Sequence, residues 1–297
     1  VMDARRQHLY SGLYRFDAEK LEIIQNNFRG DGTMNQDTVN MLAHKAKHKI
    51  DFLNQSKLRY LVSAMFAGIF IGLGDILIFT VGGYLHDVHS PMTKIAVGMS
   101  FSVALSLIIL LGSELFTSNN MVMAVGAMSK ETSIKDGGKV LGYSYLGNFI
   151  GAILISLLFI GTGLFKGTTL EYFEYTALGK IDAAAYQLFF KGILCNILVC
   201  SGVLAAYKLK DDTAKLIILF LTLFAFVTSG FEHCIANMIT FATCILSGAT
   251  SVTLSGMAYN LFFVTLGNMV GGILFLGIGT YFLSTGDKKA EKVDRAA

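Results

Sequence analysis

Charged side chains are scarce in this sequence. Of its 297 residues, 15% are charged and 53% are hydrophobic, and the mean hydropathy is +0.57. Soluble domains carry roughly 25% charged residues, so the chain has too few charges to cover a soluble globule or to stay disordered. The net charge is only +3, and the basic residues are scattered, which argues against nucleic acid as a partner.

Proline and cysteine are also rare. The single proline, Pro91, cannot be the general means of interrupting helices, whereas the 31 glycines can. All four cysteines lie in apolar stretches, and Cys195 and Cys200 have a poor spacing for a bridge within one helix. We therefore predict small buried thiols rather than disulfides. No His/Cys cluster has metal-ligand spacing and no nucleophile has a base, so we expect no metal, no cofactor and no enzyme.

Long apolar stretches are abundant. A helix needs about 20 apolar residues to cross a bilayer, and six stretches meet or nearly meet this length: 60–81, 95–128, 140–165, 183–207, 216–246 and 257–283. The second and fifth are too long for one crossing, and they contain polar inserts at 113–120 and 228–237. These features predict an all-α membrane protein whose domain, 58–284, has six transmembrane helices, with the second and fifth broken.

The distribution of lysine and arginine predicts the orientation. Six crossings place both termini on one side of the membrane. From residue 34 onward, that side carries 15 lysines and arginines, whereas the opposite side and its helix ends carry four: Lys94, Lys166, Lys180 and Lys191. The positive-inside rule then places both termini, including the tail at 285–297, in the cytoplasm. We expect a multi-pass protein of the cell inner (plasma) membrane, surrounded by its lipid bilayer.

The N-terminal region has two parts. Residues 1–33 contain no apolar core of a signal peptide, and we expect an extension or an expression-derived segment without a transport role. Residues 34–57 predict a cytoplasmic amphipathic helix, and Lys49 lies within its apolar stripe. That lysine either extends to lipid phosphates or presents a cation to the cytoplasmic mouth of a pore, where it is a candidate gate.

An internal repeat relates the two halves of the membrane domain. Three pairs of segments recur at offsets of 118 to 121 residues, and they include these matches: Asp75 with Asn196, Glu114 with Glu232, Asn119 with Asn237, and Gly147 with Gly267. Because each half holds three crossings, the second half enters from the opposite side. The sequence thus predicts an inverted 3+3 repeat, with a pathway between the two polar inserts, where irregular backbone must line a cavity or be buried.

Polar groups at membrane depth are the candidate pathway residues. His233 can exchange a proton near neutral pH or be a core histidine bonded to backbone. Thr117 can contact an ion or bond back to the preceding turn. We expect Glu114 and Glu232 to cap backbone N–H groups at the helix breaks. We also expect Asp75, Asn196 and Asn268 to satisfy backbone groups of the broken helices, and we place Lys180 near the outer end of the fourth helix.

Three segments resemble the signature segments of the formate/nitrite transporter family: ELFTS at 114–118, GFEHCIANM at 230–238 and GNMVGG at 267–272. The resemblance covers about 34–283. It implies a homopentamer in which each protomer has its own aquaporin-like pore for small monovalent anions, with both termini cytoplasmic. It also implies a pathway threonine at Thr117, a central histidine at His233, an anion-attracting lysine at Lys180 and asparagines at Asn196 and Asn268. Its hydrophobic constrictions fall on Phe101, Leu105, Phe116, Val199 and Phe226.

The substrate is not determined by these residues. The short loops and the lysine in the N-terminal stripe make the chain most similar to the hydrosulfide-channel branch of the family, so hydrosulfide (HS⁻) is our first expectation. Formate and nitrite are the alternatives within the family, by a channel or by proton symport. A neutral-solute channel of the aquaporin type is the alternative outside it, and such a channel predicts flux that is independent of pH and of Lys180.

Overall fold

The computed structural model describes residues 36–249 and 251–285, and every regular element in these ranges is helical. The predicted segment 1–33 lies outside the described residues, as does all but the first residue of the predicted tail 285–297. The helices are α1 Gln36–Gln55, α2 Lys57–Asp87, α3 Thr93–Ser100, α4 Ser102–Leu111, α5 Phe116–Met128, α6 Ile134–Gly161, α7 Thr168–Ile181, α8 Ala185–Lys208, α9 Asp212–Thr228, α10 Cys234–Leu246, α11 Leu254–Val270, a π-helical turn Gly271–Ile278 and α12 Gly279–Thr285.

Five helical stretches of the described residues are long and apolar enough to cross a membrane: Lys57–Asp87, Thr93–Leu111, Ile134–Gly161, Ala185–Lys208 and Leu254–Ser284. The sixth predicted crossing, 216–246, is divided between α9 and α10, and each piece is too short to cross alone. Both predicted polar inserts interrupt helices, between α4 and α5 and between α9 and α10. The described part of the chain therefore has the all-α membrane fold that its composition predicts.

Glycine spacing determines how the long helices pack. α2 packs along α6, and α8 packs along α11. A Cβ atom on Gly151 would collide with the Met65 carbonyl, and one on Gly267 would collide with the Phe189 carbonyl. Small residues at such positions let helix backbones approach closely. Both of these contacts join helices of the same chain.

The amphipathic helix α1 packs against α5. The π-helical turn Gly271–Ile278 also packs against α5. The apolar stripe of α1 is buried, with Leu42 and Ala46 fully enclosed. Other large apolar side chains face outward, including Phe66, Leu158 and Phe275, which are 49%, 58% and 57% exposed. An outward apolar surface of this kind suits a protein surrounded by lipid or by neighbouring subunits. The four cysteines are free and buried, as predicted.

Candidate functional site

Two helix breaks carry the buried polar groups. Gly112 follows α4 with φ of 73°, and Gly230 lies just beyond α9 with φ of 74°. Residues with a Cβ atom rarely adopt this left-handed backbone conformation, so glycine lets the chain leave each helix without strain. The backbone is then extended at Leu115 and at His233, immediately before α5 and α10 begin. At each break, a short stretch of backbone therefore has N–H and C=O groups that lack hydrogen-bond partners within its own helix.

Asn148 of α6 satisfies the backbone at the first break. Its Oδ1 accepts a hydrogen bond from the Phe116 N–H at 2.9 Å, and its Nδ2 donates to the carbonyls of Ala64 and Glu114 at 2.7 and 3.0 Å. An amide suits this position because it both donates and accepts. The side chain is fully buried, so it joins the break to α2 in a part of the protein that water does not reach.

Asn268 of α11 performs the corresponding task at the second break. Its Oδ1 accepts from the Cys234 N–H at 2.9 Å, and its Nδ2 donates to the carbonyls of Gly192 and Glu232 at 2.8 and 2.9 Å. The two breaks are thus capped in the same way by asparagines that occupy equivalent positions in the sequence repeat. Asn268 satisfies backbone groups, as its residue type predicted.

Asn196 of α8 also bonds to backbone. Its Nδ2 donates to the Thr117 carbonyl at 3.1 Å and to the Asn268 carbonyl at 2.6 Å. The side chain lines neither of the two cavities described below. Its contacts tie the first turn of α5 to α11, so Asn196 helps to fix the position of Thr117.

Thr117 and His233 meet between the two breaks. The Oγ1 of Thr117 lies 3.0 Å from Nε2 of His233, and both side chains are buried. On the other side of the ring, Nδ1 accepts a hydrogen bond from the Ala236 N–H at 3.2 Å. A neutral imidazole that accepts at Nδ1 carries its hydrogen on Nε2. The ring therefore donates to the threonine oxygen, and the threonine retains its own hydroxyl hydrogen for another acceptor.

A cavity of about 500 Å³ is lined in part by His233. We call it the Lys180 cavity. It is lined by residues of α2, α3, α7, α9, α10 and the second break and by Phe101 between α3 and α4, and it includes Asp75, Lys180, Phe226, Glu232 and His233. A second cavity of about 360 Å³, the Lys49 cavity, lies against the first break and is lined by His44, Lys45, His48, Lys49, Glu114 and Ser118, with other residues of α4 and α8.

The predicted constriction residues are all buried. Phe101 and Phe226 line the Lys180 cavity, and their rings contact edge to face with centroids 5.7 Å apart. Leu105, Phe116 and Val199 are also buried and line neither cavity. The Phe116 ring packs edge to face on Tyr145. The phenylalanine pair is thus the apolar surface next to His233.

Lys180 forms an ion pair with the second break. Its Nζ lies 2.8 Å from Oε2 of Glu232, which also accepts from Asn237 Nδ2 at 2.7 Å. The sequence placed Lys180 near the outer end of the fourth helix, and the structure places it five residues before the first residue of that helix, α8. The lysine is in the separate helix α7, because that helix ends at Ile181 and the chain turns through Asp182 before α8 begins.

Lys49 forms the corresponding ion pair with the first break. Its Nζ donates to both carboxylate oxygens of Glu114 at 2.8 Å. Glu114 Oε2 also accepts from the Tyr60 hydroxyl at 2.8 Å and from Asn119 Nδ2 at 2.9 Å. Lys49 is only 11% exposed and points inward, so the alternative that it extends to lipid phosphates is wrong. A buried carboxylate next to a lysine explains this orientation.

The Glu114–Lys49 pair controls the charge of the Lys49 cavity. Burial alone would lower the pKa of the Lys49 ammonium, but the Coulombic attraction of Glu114, that of Tyr207 and the hydrogen bond to Glu114 together raise that pKa. Lys49 therefore remains charged at neutral pH. Burial, with repulsion from Lys49, lowers the pKa of the neighbouring Lys45. Lys45 also lies over the Tyr207 ring, 4.0 Å from its centroid.

Glu114 and Glu232 do not act as we expected. We predicted that they cap backbone N–H groups at the breaks, but their described hydrogen bonds come from lysine, asparagine and tyrosine side chains. Asn148 and Asn268 provide the caps instead. The physical reason is that a buried carboxylate needs a countercharge, whereas an amide can satisfy N–H and C=O groups together.

Asp75 lies on α2, 1% exposed, and lines the Lys180 cavity. The sequence predicted that it satisfies backbone groups, as its repeat partner Asn196 does. Its Oδ2 has no hydrogen-bond partner among the described residues, and no described bond joins the side chain to backbone.

Several site residues did not stand out as individuals in the sequence. Asn148, Asn119 and Asn237 lie within the repeated segments, so the repeat itself contained the necessary information. Tyr60 and Ser144 share a hydrogen bond of 3.0 Å beside Glu114. They are common residue types in membrane helices, and their sequence separation from the break gives no pattern that would identify them.

Comparison with known proteins agrees with this geometry. The family described as formate/nitrite transporter matches residues 36–282, which is most of the chain. The chain belongs to this family. As a member of the formate/nitrite transporter family, it is a multi-pass membrane protein of a group whose named members are transporters and channels. The identity of the anion is not part of that assignment.

Individual family members are similar over nearly their whole length. The nitrite transporter NirC of Salmonella typhimurium is 37% identical over 248 residues, covering 83% of this chain and 91% of that protein. A solved structure titled as an FNT family ion channel has a TM-score of 0.78 and 36% identity, over 83% of this chain and 98% of the other. A pentameric formate channel with formate bound has a TM-score of 0.66 and 29% identity, over 76% and 96%.

Proposed function

We propose that the chain is a channel for a small monovalent weak-acid anion, and that nitrite is the first candidate. The observation that carries this proposal is the buried hydrogen bond between Thr117 and His233: His233 lines the Lys180 cavity, and Ser118, next to Thr117, lines the Lys49 cavity. A solute that crosses from one cavity to the other passes this pair. Lysines on both sides suit a negatively charged solute and would disfavour a cation.

Each part of the Lys180 cavity has a role in this path. Lys180 raises the local concentration of anions. The Phe101–Phe226 pair removes water from the anion, which excludes strongly hydrated ions. At the closed centre, the Nε2–H of His233 and the hydroxyl of Thr117 replace part of the lost hydration by hydrogen bonds. Lys49 then receives the anion on the other side, where it is a candidate gate.

His233 acts in this proposal as a neutral hydrogen-bond donor. To gain a second proton, the ring would have to protonate Nδ1, which accepts from the Ala236 N–H. That protonation would replace a hydrogen bond by a contact between two N–H groups. We therefore assign to His233 the stabilisation of the anion, rather than the supply of a proton, which was the other role that the sequence left open.

The choice among substrates follows from the relatives. A family member of 37% identity is named a nitrite transporter, and a solved neighbour is named a formate channel. These names favour nitrite and formate over hydrosulfide, which the sequence pattern had placed first. Hydrosulfide is retained as the third candidate because it is also a small monovalent weak-acid anion.

We also propose the assembly and the location. The pentameric state of the formate-channel neighbour, together with the outward apolar faces of the helices, supports a homopentamer with one pore in each protomer. The excess of lysine and arginine on one side supports an inner-membrane protein with both termini in the cytoplasm. The inverted orientation of the two halves is supported by their matched asparagine caps.

Flux measurements on the purified protein in liposomes test the proposal. Nitrite, formate, hydrosulfide and chloride are compared with liposomes that contain no protein. We expect nitrite to move fastest and formate and hydrosulfide to follow, with chloride as the comparison anion that is not the conjugate base of a weak acid. If none of the three weak-acid anions exceeds the background, the proposal is wrong. Glycerol flux that is equal to nitrite flux would instead favour a neutral-solute channel.

A further inference from the structure

One buried carboxyl group in the Lys180 cavity has no structural explanation. Asp75 is 1% exposed, and its Oδ2 has no hydrogen-bond partner in the described part of the chain. The equivalent position of the repeat holds Asn196, whose amide makes two short bonds to backbone carbonyls. Asp75 makes no such bonds and instead faces open volume. Burying a carboxyl group without hydrogen-bond partners costs free energy. The burial of Asp75 therefore indicates that its carboxyl group binds a ligand.

The charges around Asp75 identify that ligand as a proton. Lys180 attracts Asp75 electrostatically, but its ammonium already pairs with Glu232 at 2.8 Å. His233 is neutral in the tautomer assigned above, and Lys94 is exposed at the mouth of the cavity. The titratable groups that face the cavity besides Asp75 are Lys94 from α3, Tyr172, Tyr175 and Lys180 from α7, and Glu232 and His233 from the second break.

The net charge of these groups determines whether an anion can enter the cavity. With Asp75 protonated, the buried Lys180–Glu232 pair is neutral overall, and an entering anion meets no excess negative charge. With Asp75 ionised, the cavity holds two carboxylates and one buried ammonium, so the anion meets an unpaired negative charge in a site of low dielectric constant. Anion binding in the cavity and protonation of Asp75 are therefore linked: a bound anion favours the protonated carboxyl group, and the protonated carboxyl group favours anion binding.

We propose that Asp75 is the proton-binding residue of the Lys180 cavity, and that the cavity takes up a proton on this carboxylate together with an anion. The proton comes from the solution at the mouth of the cavity and forms an O–H bond with Asp75, and the anion is not altered. This inference rests on the proposed function. It makes the flux of this chain depend on pH through a residue that is outside the Thr117–His233 pair.

The test compares three proteins in liposomes: the wild type, Asp75→Asn and Asp182→Asn. The first variant keeps the shape of the side chain without a titratable group, and the second removes an exposed carboxylate next to α7 as a matched control. Nitrite flux is measured below saturation from about pH 5.5 to about pH 8.5. Because the protonation of nitrite itself affects all three proteins equally, the ratio of variant to wild-type flux at each pH is the readout.

We expect the ratio for Asp75→Asn to rise about tenfold with pH, which is within the usual range of coupling between two sites, while the ratio for Asp182→Asn stays constant. A constant ratio for Asp75→Asn, in a protein that transports nitrite, would refute the inference alone. Absence of wild-type flux would refute the proposed function and this inference with it.

A second measurement needs no variant. Nitrite is added to the wild-type protein in weakly buffered detergent solution, and a pH indicator reports proton uptake, with chloride as the control salt. We expect nitrite to cause net uptake of protons by the protein. Unchanged pH after nitrite addition would overturn the proposal even if Asp75→Asn failed to fold.

Discussion

Removal of Lys49 should destabilise the first helix break. In Lys49→Met, the Glu114 carboxylate loses the ammonium that donates to both of its oxygens at 2.8 Å. Breaking a buried ion pair by removing one partner costs about 3–5 kcal/mol. Tyr60 and Asn119 still donate to Glu114, so we expect a loss at the lower end, about 3 kcal/mol. For a chain of this size, such a loss lowers Tm by roughly 5 °C.

The assay is thermal unfolding of the detergent-solubilised oligomer, followed by tyrosine fluorescence and size-exclusion chromatography. Lys47→Met is the matched control, because it removes an exposed lysine from the same helix, and a substitution of this kind changes stability by less than about 0.5 kcal/mol. The double variant Lys49→Met, Glu114→Gln should recover most of the loss, because no buried charge is then left unpaired. A Tm for Lys49→Met equal to that of Lys47→Met would show that Lys49 does not stabilise Glu114.

Three further predictions concern other parts of the site. Asn268→Leu leaves the buried Cys234 N–H without its acceptor, at about 1–3 kcal/mol for an unsatisfied group, so a thermal scan should show a lower Tm, and an unchanged Tm would contradict the capping role. Lys180→Gln leaves the Glu232 carboxylate without its ammonium partner, so it should lower nitrite flux several-fold at low ionic strength and much less at high salt, whereas an equal effect at both would argue against electrostatic attraction. Phe226→Ala should widen the apolar surface next to the centre, so glycerol uptake by liposomes should rise, and uptake at the wild-type rate would place the constriction elsewhere.

Much of the fold could be predicted from composition and spacing. Apolar stretches identified the crossings, because a bilayer sets their length. The polar inserts identified the breaks, because polar residues at membrane depth have few other uses. Thr117 and His233 were identified for the same reason, and the structure brings them within 3.0 Å of each other. Local sequence was sufficient wherever the membrane itself imposed the constraint.

The equivalence of the two lysines could not be predicted. Lys49 precedes its glutamate by 65 residues and Lys180 precedes its own by 52, so the constant offset of the repeat does not connect them. One lysine lies on α1 and the other on α7, which the apolar pattern did not separate from the fourth crossing. Their common role depends on how these helices fold back onto the two breaks, and that is a matter of tertiary packing.

The capping of the breaks was mispredicted for a related reason. A glutamate adjacent to an uncapped helix start is a reasonable local candidate. The caps come instead from Asn148 and Asn268, which are 32 and 34 residues further along the chain than the N–H groups that they accept from. Only the approach of α6 and α11 to the breaks brings these amides into place. The glutamates were then available to bind lysine.

The central claim is that anions pass the Thr117–His233 pair and are stabilised there by the threonine hydroxyl. The most direct measurement is nitrite flux in liposomes for Thr117→Val and Thr117→Ser, at equal amounts of assembled protein. Valine keeps the shape of threonine without the hydroxyl, whereas serine keeps the hydroxyl. We predict that Thr117→Val lowers the flux about tenfold, as expected for the loss of roughly one hydrogen bond to a charged group, and that Thr117→Ser retains most of it. Wild-type flux in Thr117→Val would contradict the account.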